Sequence, residues 1–272
     1  MFSFLAAKPI LMKTAKFTII LFWIIPFQAA IAQVAAPIAE FESIMLCGSA
    51  AIPSAINGFA QNAAAASFNL SSGFSLFQQS YPSLPNLSLN SISFKHGGKF
   101  KKGYSLTQFG TPFYRIFSAQ LALASKLNEN FALGVLLGLN TFPTEEFSPR
   151  VEPSIGFGLC WKPYKNWSFG LTYQQPIHAL QQISIAATWA ASNNLEWSFS
   201  FQKRGVYPQS FKSGLRYRIK DEYYLLSGFS ASPLTSAFGI LLPIKKINLG
   251  LGSQLQELAG WQACFTLHYL IE

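Results

Sequence analysis

The chain has 272 residues, half of them hydrophobic and only 11% charged, and it carries a formal net charge of +9. A soluble domain is about a quarter charged, so water would solvate this surface badly. No run reaches the roughly 20 apolar residues of a spanning helix, and in lipid the closed barrel is the one other structure that satisfies its own backbone.

The remaining composition agrees with that reading. Aromatic residues make up 15% of the chain, and 26 residues are phenylalanine. Lipid-facing barrel positions take bulky apolar groups, while lumen positions take small or polar ones. Nucleic acid is excluded as a partner, because no Lys/Arg-rich run stands out beyond the short basic stretch Lys99, Lys101 and Lys102. The three cysteines, Cys47, Cys160 and Cys264, stand far apart without CxxC spacing. They form neither a metal site nor a disulfide framework, though an oxidising compartment would permit one bridge.

Taken in chain order, residues 1–32 read as a signal peptide, with Met12 as an alternative start. Lys13 and Lys16 form its basic region, Phe17 to Phe27 its apolar region, and Ala30-Ile31-Ala32 the small-x-small cleavage signature. Removing it also removes Lys8, Lys13 and Lys16, which leaves a mild basic bias. Residues 33–67 are small and Ala-rich, without period-2 alternation, and Pro53 and Gly58 interrupt any helix there. This stretch reads as a lead-in or a plug entering a lumen, with Asn57 and Asn62 as its candidate site residues.

From residue 68 to 272 the pattern changes to short alternating runs. Trp167, Phe169, Leu171 and Tyr173 interleave with Ser168, Gly170, Thr172 and Gln174. Leu195, Trp197, Phe199 and Phe201 do the same against Glu196, Ser198, Ser200 and Gln202, and Phe131 to Leu139 repeats the pattern. Successive strand side chains point to opposite faces, so each run has one greasy face and one small or polar face. Turn clusters such as Asn128-Glu129-Asn130, Lys165-Asn166, Ser192-Asn193-Asn194 and Lys220-Asp221 separate them. The spacing predicts an all-β, antiparallel transmembrane β-barrel of about fourteen strands, each of about 8–12 residues, since single-chain bacterial barrels favour even numbers. A soluble sandwich would keep its opposite faces charged; these are mainly Gly, Ser, Ala, Thr and Gln. Trp161, Tyr164 and Trp167 bracket one turn and Tyr217, Tyr223 and Tyr224 another, as aromatic girdles at headgroup level would.

Three stretches carry a family resemblance. They are Gln61-Asn62-Ala63 within the Ala-rich segment, the hairpin-like run Gly110 to Asn140, and the run Phe211 to Ile240. On these the chain resembles the small outer-membrane β-barrels of the long-chain fatty-acid-transporter-like superfamily, which includes barrel accessories of type IX secretion. The resemblance implies a place in the cell outer membrane, surrounded by its lipid, and passive passage or binding of small hydrophobic or amphipathic compounds. Two alternatives stay open: an accessory or anchor for secretion-complex proteins, and a closed structural barrel.

Lys212, Arg216 and Arg218 fall on one strand face, opposite Phe211, Leu215, Tyr217 and Ile219. Charges at the lipid midplane cost about 2–4 kcal/mol each, so these three should project into the lumen. There they would either attract anionic solutes or pair with lumen acids such as Glu196 or Glu152. His96, His178 and His268 are isolated and lack metal-ligand spacing. Glu145 and Glu146 sit on a Pro-flanked loop, where adjacent acids are solvated rather than set across a cleft. No GxSxG, HExxH or P-loop occurs. The expectation is a protein without catalytic residues, metal or cofactor. N-terminal sequencing of the exported protein should begin at Gln33; a chain that retains residues 13–32 would instead be held by an uncleaved anchor.

Overall fold

The computed structural model describes residues 41–49, 58–68, 72–84, 86–98, 100–143, 149–176, 180–219, 223–257 and 259–271. Fourteen strands dominate them. The first five are β1 (Ser72–Ser80), β2 (Ser88–His96), β3 (Lys101–Gly110), β4 (Arg115–Lys126) and β5 (Phe131–Phe142). Next come β6 (Arg150–Tyr164), β7 (Trp167–Pro176), β8 (Gln182–Ala190), β9 (Leu195–Arg204) and β10 (Ser210–Ile219). The last four are β11 (Tyr223–Ala231), β12 (Leu234–Ile244), β13 (Ile247–Gln256) and β14 (Gly260–Ile271). Each pairs antiparallel with its sequence neighbours, and β1 pairs with β14 from Ser72↔Ile271 to Ser80↔Ala263. The sheet therefore closes on itself as an up-and-down barrel without a free edge.

The alternation sets which side of the wall each residue takes. On β3, Leu106 is 63% exposed, and on β8 Ile185 is 58% exposed. Ala132 on β5 and Ser200 on β9, both on the other face, are 0% and 1% exposed. The outer wall thus presents Leu, Ile, Phe and Val over its whole girth, which only hydrocarbon solvates well. Aromatics cluster on it: Trp167 stacks on Trp189 across β7 and β8 with centroids 6.0 Å apart, and Trp161 lies 5.7 Å from Phe169. One register shift, between Trp161 and Tyr164, marks the β6–β7 turn.

The two rims differ. Turns at Leu127–Asn130, Lys165–Asn166, Ala191–Asn194 and Lys245–Lys246 lie at the end where β1 begins and β14 ends, called here the terminal rim. The connections at Tyr81–Leu87, Thr111–Tyr114, Gly205–Gln209 and Ser232–Pro233 form the far rim.

Inside the wall lie the described parts of the Ala-rich segment. They are helix α1 (Phe41–Met45) with its extension to Ser49, and two 3₁₀ turns, Gly58–Ala60 and Ala63–Ser67. All three cysteines are free and buried, so no bridge forms among them. A charge at the outer midplane tests the orientation of the wall. Leu137→Arg on β5 should lower stability against urea in liposomes by about 2–4 kcal/mol, whereas unchanged stability would place that face outside hydrocarbon.

Candidate functional site: the lumen and its resident segment

Two apolar groups on α1 define one end of the lumen. Phe41 and Met45 are four residues apart, so they share a helix face. Both are fully buried, packed with Leu46 against Phe77, Leu89, Leu226 and Leu241 from β1, β2, β11 and β12. The helix ends in a left-handed turn: Cys47 and Gly48 have φ of 51° and 72°, and the Gly48 N–H donates to the Ser43 carbonyl at 2.6 Å. Such a 6→1 bond terminates helices, and Gly takes the left-handed conformation without penalty. Beyond it, the Ser200 hydroxyl donates to the Gly48 carbonyl (3.2 Å), and Ser49 and Ser198 share a hydroxyl hydrogen bond of 2.6 Å.

The second anchor is Asn62. Its Oδ1 accepts from the Ala64 N–H (3.1 Å), capping the following 3₁₀ turn, and its Nδ2 donates to the Leu159 carbonyl and to Cys160 Sγ, both at 3.2 Å. One short side chain thus caps the segment and ties it to β6. The wall is cut to fit the segment. A Cβ on Gly134 would stand 2.5 Å from the backbone of Ala63 and Ala64, and one on Gly228 would stand 2.5 Å from the Met45 carbonyl oxygen. Glycine at these places lets backbone approach backbone, which no other residue permits. At the terminal rim, the Lys126 and Lys162 ammonium groups lie 5.1 and 4.6 Å from the Phe68 ring centroid, over the point where the segment feeds into β1.

The basic residues expected in the lumen lie on one strand but in three settings. Lys212 sits beneath the segment: a Cβ on Gly48 would meet its Nζ at 3.2 Å. Burial pushes the neighbouring Cys47 thiol up to about 11, while the Lys212 charge pulls it the other way, so the thiol stays protonated at neutral pH. Arg216 reaches Glu196 at 3.7 Å and stacks its guanidinium on Tyr224 at 4.2 Å. Arg218 is turned to the terminal rim, donating to the Asn193 carbonyl (3.0 Å) and to Asn194 Oδ1 (3.3 Å). Of the two acids expected to pair with this trio, Glu196 does so through Arg216. Glu152 is held instead by Arg150 at 2.9 Å, because the two are neighbours on the same strand. Asn57, His178, Lys99, Lys220, Asp221 and the acids Glu145 and Glu146 lie outside the described residues.

Sequence reasoning missed Glu42. It is 3% exposed, on α1, within Coulombic reach of both Arg216 and His268. The helix therefore brings a carboxylate near the basic wall, where opposite charges favour burial together. The signal was available in Phe41, Glu42 and Met45: two apolar residues one helical turn apart with an acid between them. Between the segment and β7–β10, a polar cavity of about 50 Å³ remains, lined by Gln61, Thr172, Gln182, Gln202 and Lys212. That is room for a water molecule or two. A larger concavity lies elsewhere, on the outer wall: a groove of about 730 Å³ lined by outward residues including Leu76, Ile92, Leu106 and Phe117, and by the amides Gln78 and Asn90.

No protein-family model matches the sequence, and no curated protein matches it. Solved structures do. A FadL homologue from Pseudomonas aeruginosa superposes with a TM-score of 0.60 at 11% identity, over 86% of this chain and 98% of that one. The CymD monoaromatic hydrocarbon channel gives 0.61 at 9% identity, over 85% and 97%. A mutant of the TodX monoaromatic hydrocarbon channel gives 0.59 at 9%, over 85% and 96%. This chain has the fold of the FadL-like barrels. In this barrel the inner segment is pinned at Asn62, and that pin can be tested. Asn62→Ala removes a cap and two hydrogen bonds, together about 1–2 kcal/mol. Maleimide labelling of Cys160, read site by site by mass spectrometry, should then quicken about tenfold, as 1.4 kcal/mol implies. An unchanged rate would mean that Asn62 does not hold the segment down.

Proposed function

We propose that this barrel serves the entry of small hydrophobic compounds across the outer membrane, after export by its signal peptide. The observation that carries the reading is the fold shared with two monoaromatic hydrocarbon channels over 85% of the chain. The lumen chemistry supports it. Phe77, Leu89, Leu226 and Leu241 wall an apolar chamber, and the side chains of Phe41 and Met45 fill the space an apolar solute would take. Passage then requires α1 to give way, because the solute and the helix compete for the same surface. Lys212 lies beneath Gly48 of the segment, and Arg216 faces Glu42 of the helix and Glu196 of the wall, so both cations are taken up within the protein and small anionic solutes are secondary to hydrophobic ones.

The filled lumen favours one other reading, a closed barrel of structural purpose. The secretion-complex role, left open as an alternative by the resemblance, finds no support among the structural neighbours. The two surviving readings diverge in cells. A strain whose outer membrane carries the protein should take up labelled toluene severalfold faster than one without it, and Phe41→Ala should raise the rate further. Uptake at the barrel-free rate for both forms would leave the closed barrel.

A further inference from the structure

The charged side chains are distributed unevenly between the two rims. Among the described residues, Lys102, Lys126, Lys165, Lys245 and Lys246 are exposed at the terminal rim, with Arg218 half-buried beside them. The acids there are Glu129 and Glu196, and Glu196 is already engaged by Arg216. At the far rim the described charges are Arg115, Arg150, Lys203 and Arg204 against Glu152 and Glu257, with Arg150 and Glu152 paired at 2.9 Å. Among the described residues, positive charge is therefore greater at the end where β1 begins and β14 ends.

These cations form a ring rather than a patch. Those that face the surroundings, Lys102, Lys165, Lys245 and Lys246, stand at the start of β3, the β6–β7 turn and the β12–β13 turn, spaced around the circumference, while Lys126 and Arg218 lie over the lumen mouth. The height is fixed by the aromatic residues beside them. Trp161, Tyr164, Tyr217, Tyr223 and Tyr269 are all exposed near the same strand ends, and Lys102 lies two residues from exposed Tyr104 on the outward face of β3. Amphipathic rings settle at the headgroup layer, so the ammonium groups lie at or just beyond it. A globular partner would meet one arc of such a ring, whereas a lipid leaflet meets all of it.

We propose that the terminal rim is a docking ring for anionic phospholipid headgroups, and that it holds the barrel with this end in the leaflet richer in them. Each lysine gains from the surface potential of such a leaflet, and the attraction fades within a Debye length, so it is salt-sensitive. This inference concerns the outer surface and is independent of what passes the lumen.

The test uses the full mature chain folded into phosphatidylcholine vesicles, with spin-labelled phosphatidylglycerol or phosphatidylcholine as probe. The motionally restricted fraction of each label gives their relative association with the barrel. Phosphatidylglycerol should be preferred about threefold at low salt, and the preference should vanish in molar salt. It should also vanish in the combined variant Lys102→Gln, Lys165→Gln, Lys245→Gln and Lys246→Gln, and persist in Arg115→Gln with Lys203→Gln. Heat-modifiable gel mobility reports folding of each variant, and the salt dependence of the unmodified chain stands even if a variant fails to fold. Equal association of both lipids, a preference that survives the four substitutions, or loss through the far-rim pair would each overturn the proposal. Equal association accompanied by salt-sensitive capture of polyglutamate would assign the ring to an acidic protein instead.

Discussion

Hydrocarbon offers no hydrogen-bond partner, so every backbone amide and carbonyl in the wall must be satisfied by another strand. The pairing of β1 with β14 meets that demand, and most other features of the molecule follow from it. Closure gives each strand two neighbours and removes any edge that could template aggregation. It also divides every strand's side chains between two solvents, lipid outside and an enclosed lumen inside. The outer face can then be largely apolar away from the rims, and charges set deeper in the strands, such as Lys212 and Arg216, turn inward.

Closure also creates a problem inside. An interior lined by Ser75, Ser91, Ser198, Ser200 and Thr266 is too small-chained to fill a fourteen-stranded ring from the wall alone. The chain supplies the missing volume from its own N-terminal side. Helix α1 brings bulk in Phe41 and Met45, while the Ala63–Ser67 turn brings a slim profile that glycines on the wall can accept. The charges follow the same division. Arg216 finds its acids on both sides, Glu196 from the wall and Glu42 from the helix, so the inner segment is held by packing, hydrogen bonds and charge together. On the proposed reading, a solute would have to loosen those contacts to pass.

Much of the wall was legible in the sequence because its signal is local. Period-2 alternation from Phe131 to Leu139 or from Leu195 to Phe201 needs only neighbouring residues, and a turn such as Lys165-Asn166 announces itself by composition. Those signals determined the class of fold, the approximate strand number and which face of each strand meets lipid. Alternation also put Lys212, Arg216 and Arg218 on one strand face, with the lumen as their expected side, and the Ala-rich stretch offered Asn57 and Asn62 as candidates.

What the sequence left open was decided by contacts between distant residues. Ser49 meets Ser198 across 149 positions, and Asn62 meets Cys160 across 98. An Ala-rich segment carries no periodicity to say whether it leads into a barrel or occupies it, since its position is set by glycines on strands far along the chain. The partners of the charges depend on the same closure: Glu152 belongs to Arg150 by adjacency, whereas Glu42 reaches Arg216 only because α1 lies inside the ring. The sequence by itself determined the wall, because alternation is written residue by residue. Only the tertiary structure decided what fills it, because that depends on which faces a closed sheet brings together.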